Sequence, residues 1–274
     1  KGLATTDIDL QSFYDASQVC VTQVTPYSGG SDINIFDTNV VLDTSRKVIE
    51  NVRDLLGACR GYLPYVGGKY NLIIETTGSA SITLDEDDII DGFTLASADK
   101  NNKYNRVIVS FVNPDRNFQV DQAQFPPIDD SGLASADQHA TMKTADGGFL
   151  LEGRFDFPTI TSFYQAEEMA EIILRRSREA LALDITASFS AYELAIGDIV
   201  NITHSSLGFS SKAFRVTSMT FNEDCTVKLL LVEHQNSHYT YASKTEVSST
   251  PATNLPSAFT IQPPASVTLS DQLI

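Results

Sequence analysis

The stretch Leu183-Asp184-Ile185-Thr186-Ala187-Ser188-Phe189-Ser190 decides the fold class. Leu183, Ile185, Ala187 and Phe189 alternate with Asp184, Thr186, Ser188 and Ser190. A period of two puts one face of a strand in a core and the other in water. The same alternation recurs downstream, where Phe214, Val216, Ser218 and Thr220 are interleaved with Arg215, Thr217, Met219 and Phe221. Asp198 to Ile202 reads as another strand, and Thr226 to Glu233 as one more after the turn Asn222-Glu223-Asp224. Short strands at about 8–12-residue spacing predict a barrel or sandwich. Upstream, a helix is expected over 162–181. Ser162 and Gln165 have capping-box spacing, Ala166, Met169, Ala170, Ile173 and Leu181 make a buried face, and Arg175, Arg176 and Arg178 suit the C-terminal end of the dipole. One helix among strands gives a β-rich α+β class.

Nearer the N-terminus, Asp7 is the expected cap of a first helix carrying Leu10, Phe13, Tyr14 and Ser17, broken by Pro26, Gly29 and Gly30. Thr44 or Ser45 then caps a second, with the stripe Val48, Val52, Leu55, Leu56 and Cys59, and Gly61 stands where a left-handed residue is wanted. Tyr62 to Val66 and Lys69 to Ile74 follow as strands around Gly67-Gly68, whose freedom at positive φ suits a tight hairpin. Leu84-Asp-Glu-Asp-Asp-Ile-Ile-Asp-Gly92 reads as an acidic bridge into a second region, and Arg106 to Val112 as a buried strand. From Asn113 to Gly148 the chain looks loop-rich, long enough to be mobile or used for contact. The organisation expected is 1–90, 91–240 and a Ser/Thr/Pro-rich linker 241–274 holding Pro251, Pro256, Pro263 and Pro264.

The 274 residues carry 35 acids against 19 Lys+Arg, a formal net charge of -16. Such a surface repels nucleic acid and anionic membrane and has no basic stripe for reading either. No run approaches the roughly 18–20 apolar residues of a membrane span. Cys20, Cys59 and Cys225 are odd in number and lack C-x-x-C spacing, so all three read as reduced thiols. Lys1-Gly2-Leu3-Ala4 leads straight into a helix signal without Met, as inside a longer polypeptide.

Chemistry-bearing clusters are scarce. Asp85, Glu86, Asp87, Asp88 and Asp91-Gly92 resemble a calcium loop, but Ile89 and Ile90 interrupt the ligands and the Gly comes late, so a solvated bridge is expected. His234 and His238 are four apart at a strand exit and read as surface histidines rather than a metal pair. His204 lies beside Ser205 and Ser206 without a nucleophile elbow, and His139 sits in the loop-rich stretch. Gly67-Gly68 and Gly147-Gly148 are hairpin-like, not phosphate loops. No catalytic, cofactor-binding or metal-ligating residue is assigned, and a non-enzymatic protein is expected.

Three stretches resemble a known family. Gly2-Leu3-Ala4 to Asp7-Ile8-Asp9-Leu10-Gln11-Ser12-Phe13 is similar to the opening of its central helical part. Val48-Ile49-Glu50 through Gly57-Ala58-Cys59-Arg60-Gly61-Tyr62, continued by Tyr65-Val66-Gly67-Gly68-Lys69-Tyr70, resembles its helix and hairpin. Tyr104 to Val109, Ala195 to Val200 and Lys212 to Val216 resemble strands of its tube-like domain. The family is the central tail-tip (host-specificity, lambda-like) hub proteins of siphophages and prophages, matched over about residues 1–240 in the family's order. The resemblance implies a helix–hairpin domain followed by a tube-like, baseplate-hub β-barrel with a packed helix. It further implies a homotrimeric hub below the tail tube, contacting the tail tube, distal tail protein and tail fibres. DNA would pass through its lumen, and a host receptor would be bound by parts outside this fragment. The location implied is the virion tail tip, after assembly in the host cytoplasm. Two other readings stand beside it, a tail-borne carbohydrate-active enzyme with two convergent carboxylates and a glycan-binding module with an aromatic platform.

Overall fold

The computed structural model describes residues 4–97, 103–128, 132–178 and 181–245. The chain opens with α1 (Leu10–Cys20), capped by Asp9, whose carboxylate accepts from the Gln11 amide. Asp7 instead closes a short turn ahead of it by accepting from the Ala4 amide. A small ribbon, β1 (Gln23–Val24) with β2 (Ile33–Asn34), leads to α2 (Val48–Ala58). Lys47 precedes α2 without a side-chain cap, so neither Thr44 nor Ser45 plays that part. Arg60, at φ 56°, takes the left-handed position expected of Gly61. β3 (Gly61–Tyr62), β4 (Tyr65–Val66), β5 (Lys69–Tyr70) and β6 (Ile73–Ile74) form one hairpin about Gly67-Gly68, both at positive φ.

β7 (Ile82–Leu84), β8 (Ile89–Ser97), β9 (Arg106–Asn113), β10 (Gln119–Phe125), α3 (His139–Ala145), β11 (Glu152–Asp156), α4 (Phe163–Arg178), β12 (Leu181–Ala187), β13 (Ile199–His204), β14 (Phe209–Phe221) and β15 (Val227–Glu233) complete the order. Six strands make a curled half-barrel in the order β7-β13-β14-β15-β12-β8, and three make a second sheet, β10-β9-β11. The class is therefore β-rich α+β. The loop-rich reading of 113–148 is corrected, because it contains β10 and α3. The acidic bridge is corrected too, because Asp91 and Gly92 lie within edge strand β8. Helix α4 ends at Arg178, and Leu181 opens β12.

Two apolar cores result. One fills the half-barrel with Leu84, Leu183, Ile185, Val200, Ile202, Phe214, Val216, Leu229 and Leu231. The other gathers Ala16, Phe36, Ala58 and Ile74 onto Val109, Phe111, Phe125, Ala166 and Met169. A cut at residue 90 does not separate them, since the second core needs residues from both sides of it. β8 and β12 pair antiparallel, Leu181 opposite Ser97, so residues 103–178 are an insertion between neighbouring strands. The alternation at 183–187 holds, but Phe189 departs from it. Ser188 caps a short turn, and Phe189 is 61% exposed, stacked on Tyr192. A bulge after Val216 likewise turns Met219 toward the core, while Phe221 is exposed.

Asp146 ties together the two ends of the insertion. Its carboxylate, almost fully buried, meets Lys103 Nζ at 2.8 Å and Arg178 Nη1 at 2.8 Å, and accepts from Asn105 Nδ2 at 3.1 Å. Burial opposes its charge, but Arg178, Lys103 and Asn105 prevail and hold it down to about 2. Gly147 and Gly148, at positive φ, end helix α3 rather than turning a hairpin, and the Gly148 amide donates to Lys143. Asp146→Ala leaves the partly buried Arg178 with the Tyr104 carbonyl but no carboxylate, so denaturant unfolding at pH 7 is expected to show a loss of about 3 kcal/mol. A loss below 1 kcal/mol would remove Asp146 from this role.

Candidate functional site

Charged side chains buried along one seam are the least ordinary feature of the molecule. Helix α4 lies across the second core and is covered on nearly every face, burying Glu167, Glu168 and Glu171 as well as its apolar stripe. After β15 the chain returns as an arm along this helix. Lys244, 4% exposed in its side chain, meets Glu168 at 2.7 Å and also pairs with Glu171. Its amide donates to Pro26, and Ser243 Oγ donates to Thr25. Residues 241–245 are therefore packed structure and not linker, and the rest of the expected linker lies outside the described residues.

The arm continues the charged seam toward the half-barrel. Arg215 Nη1 donates to Gly197 at 2.7 Å and Nη2 to Thr76 at 2.8 Å, with His234 Nδ1 at 3.2 Å. His234 stacks on Tyr239, and Arg60 lies over both Phe36 and Tyr239. Arg176 pairs with Glu75 at 2.5 Å. His234 and His238 are both buried, which corrects their reading as surface residues. Burial lowers the His234 pKa, helped by Arg215, although Asn236 opposes the shift. Together these groups bind the insertion, the N-terminal elements and the half-barrel into one body.

Protonation along the seam follows from burial and charge. Burial pushes Glu167 up to about 7 against the pull of Lys244, with Glu171 and Glu168 adding to the rise. Burial also raises Glu168, despite Lys244. In Glu171 burial works the same way, but Lys244 and Arg175 outweigh it and lower its pKa. Lys244 in turn is raised, because Glu168 and Glu171 overcome its burial.

The residues singled out in the sequence are placed differently. Asp85 caps the turn 86–88 by accepting from the Asp87 amide, Glu86 accepts from the Ser205 amide, and Asp88 accepts from Ser188 Oγ at 2.9 Å. Three of these acids, Asp85, Glu86 and Asp88, are thus spent on backbone and hydroxyl donors. Among the described residues no three His, Cys, Asp or Glu side chains gather to hold a metal. His204 faces Glu86 at 3.5 Å and meets Phe93 edge-on. His139 begins α3. Gln165 does not close a capping box. It accepts from the Asp37 amide and donates to Ala58 at 2.9 Å, tying α4 to α2 and the segment before it.

A cleft of about 630 Å³ opens between the β1–β2 ribbon, the second sheet and the start of α4. Tyr27 and Tyr164 meet there at 5.5 Å, and Asp115 and Asp121 lie on its wall. A glycosidase pair needs one carboxyl set apart in apolar surroundings as the acid. Asp121 instead meets Asn113 Nδ2 at 2.8 Å and Arg116 at 3.3 Å, and Asp115 is exposed. These surroundings do not differentiate an acid from a base.

Comparison with known proteins now bears on the whole arrangement. The model of the family Phage-tail_3, described as "Putative phage tail protein", matches residues 47–219, spanning α2 through most of β14 and the larger part of each core. The chain belongs to this family. It is 24% identical over 200 residues to the baseplate hub protein pb3 of Escherichia phage T5, an alignment covering 73% of this chain and 20% of that protein. The chain thus spans about a fifth of the length of that relative. Among solved structures it is similar to a chain from the virion of a native gene transfer agent particle, with a TM-score of 0.57 and 15% identity over 81% of this chain and 46% of that one. A tail protein from Neisseria meningitidis MC58 aligns at a TM-score of 0.46 and 10% identity, over 81% of this chain and 66% of that one. The family model and the T5 relative support the phage tail-tip and hub family named from the sequence.

Glu167 yields a signed prediction. Its pKa rises on folding, so its contribution to stability is present below about pH 4.5 and is lost as pH climbs through about 7. Glu167→Gln is expected to match the parent at pH 4.5 and to exceed it by about 3 kcal/mol at pH 8, read by urea unfolding at both values. A variant weaker than the parent at pH 8 would show that the ionised carboxylate is needed there.

Proposed function

We propose that this chain is a wall-forming structural segment of a phage tail-tip hub, assembled as a homotrimer in the virion and without catalytic activity. The observation that carries the proposal is the family match, which takes in the larger part of each core and the whole insertion. The half-barrel supports it physically. β8 lies at one edge of the sheet and pairs on one side only, with β12. It exposes Ile90, Phe93 and Leu95, a long apolar edge of the kind that soluble monomers cover or interrupt. Exposed aliphatics at Val41, Val48 and Ile49 on the other core add surface suited to neighbours.

In this reading the tail tube, distal tail protein and tail fibres are the neighbours, DNA passes through a lumen, and receptor binding belongs to other parts of the polypeptide. The two units are a helix–hairpin body carrying the insertion and a hub-type half-barrel. A negative chain suits a DNA channel, since like charge keeps a passing polyanion from adhering. Assembly takes place in the host cytoplasm before the virion leaves it.

A trimer of this 29.9 kDa chain has a mass of about 90 kDa, and light scattering or mass photometry of purified protein is expected to find it. Images of tails carrying a labelled chain should place the label at the tip in three copies. A 29.9 kDa particle at high concentration, with label along the tube, overturns the proposal.

A further inference from the structure

The slot that Lys244 fills is formed by a different part of the chain. Glu168 and Glu171 stand one helical turn apart on α4, and Glu167 is one turn from Glu171, so the three carboxylates are neighbours. Arg175 holds Glu171 in place, its Nε donating at 3.0 Å. Lys244 Nζ then lies 2.7 Å from Glu168 and also pairs with Glu171. The Tyr241 ring, on the arm itself, has its centre 5.3 Å from that ammonium. Glu167 is buried beside them, and its Oε2 has no hydrogen-bond partner among the described residues. The slot thus holds more acceptors than its one ammonium satisfies.

The arm that delivers the lysine is fastened by few contacts. Ala242, Ser243 and Thr245 are exposed, and neither Tyr241 nor Ala242 joins an apolar core. Its backbone meets Tyr27 in a single parallel bridge, with the Lys244 amide donating to Pro26 at 2.8 Å and Ser243 Oγ to Thr25 at 3.2 Å. The Tyr241 hydroxyl is buried without a partner, which disfavours the docked arm, since lifting it gives that hydroxyl to water. The buried Lys244 side chain is therefore the main fastening.

We propose that the slot on α4 is a binding site for a primary alkylammonium, closed in cis by Lys244 on a releasable arm and open, once the arm lifts, to a lysine on an extended segment of another polypeptide. The inference goes beyond the assembly reading and does not rest on it. Charge selects the class of ligand, because without Lys244 the buried Glu168 carboxylate loses the cation it pairs with. Hydrogen bonding selects within the class, because a primary ammonium has three N–H donors and a quaternary one has none. The Pro26 carbonyl, which accepts from the Lys244 amide, suits an extended backbone carrying that lysine. Among the described residues no three His, Cys, Asp or Glu side chains gather to hold a metal instead.

Lys244→Ala empties the slot of three carbons and the ammonium, the atoms of n-propylammonium, and keeps the rest of the arm. Its melting temperature is expected to fall below the parent's and to rise saturably with n-propylammonium chloride. Sodium and tetramethylammonium chlorides at equal ionic strength leave it low. The parent, with its slot filled, shows no such rise, and Glu168→Gln in the Lys244→Ala background abolishes it. Native-state hydrogen exchange of the unmutated chain reads the arm directly, including where the variant folds poorly. The Lys244 amide is expected to exchange through an opening of lower free energy and weaker urea dependence than the Leu229 and Leu231 amides of β15. An equal response to all three cations, no response of folded Lys244→Ala to propylammonium, or exchange of Lys244 only together with β15 overturns the proposal.

Discussion

The architecture depends on a single constraint, the pairing of β8 with β12 at the point where the chain leaves and re-enters the half-barrel. Leu181 stands opposite Ser97, so everything between them departs from and returns to one end of one strand pair. An insertion joined this way would hinge unless something fixed its root. Asp146 does so from within the insertion, holding Lys103 on the outgoing side and Arg178 on the returning side. The N-terminal elements then close over the insertion. α2, the hairpin after it and α1 share a core with β9, β10 and α4, though they precede the half-barrel in sequence.

Ion pairs carry the second fastening, and their placement says what they do. Buried pairs seldom stabilise more than an apolar equivalent would, because desolvation offsets attraction. What they impose is geometry, since a misplaced charge in an apolar slot is far worse than a misplaced methyl. Lys244 has Glu168 and Glu171 as partners, and Arg215 reaches Gly197 and Thr76 as well as His234. A small rotation between half-barrel and insertion would strand several of these groups at once. The seam therefore fixes how the half-barrel and the insertion are oriented against each other.

How much of this could be read beforehand depends on the range of the interactions. Strands β12 to β15 were legible because each places alternate residues in the half-barrel core, and Gly67-Gly68 specified its hairpin locally. β10 was not, because Gln119-Val-Asp-Gln has no inward apolar side chain and only Ala123 and Phe125 reach the core. β8 was hidden for the opposite reason. As an edge it exposes both faces, so no alternation selects it over a solvated loop. The charged seam left no local trace at all. Glu171 meets a lysine 73 residues away, Arg176 an acid 101 away, and Arg215 a carbonyl 139 away. Glu167, Glu168 and Glu171 look like the wet side of an amphipathic helix until the returning arm covers them.

The acidic run shows how one segment can mislead composition and still obey physics. β7 and β8 are successive in sequence yet occupy opposite edges of the six-stranded sheet. Only the turn through Asp85 to Asp88 joins them, so the sheet has to curl for so short a connection to span it. The carboxylates of the turn then act as a clasp, Glu86 on the Ser205 amide beyond β13 and Asp88 on the Ser188 hydroxyl beyond β12. Each accepts from a group next to one edge strand's partner. Negative charge there supplies acceptors to two donors just past the ends of β13 and β12, the Ser205 amide and the Ser188 hydroxyl. A calcium ion would supply none of those bonds, and a neutral loop would leave the donors to water and the curl without a fastening.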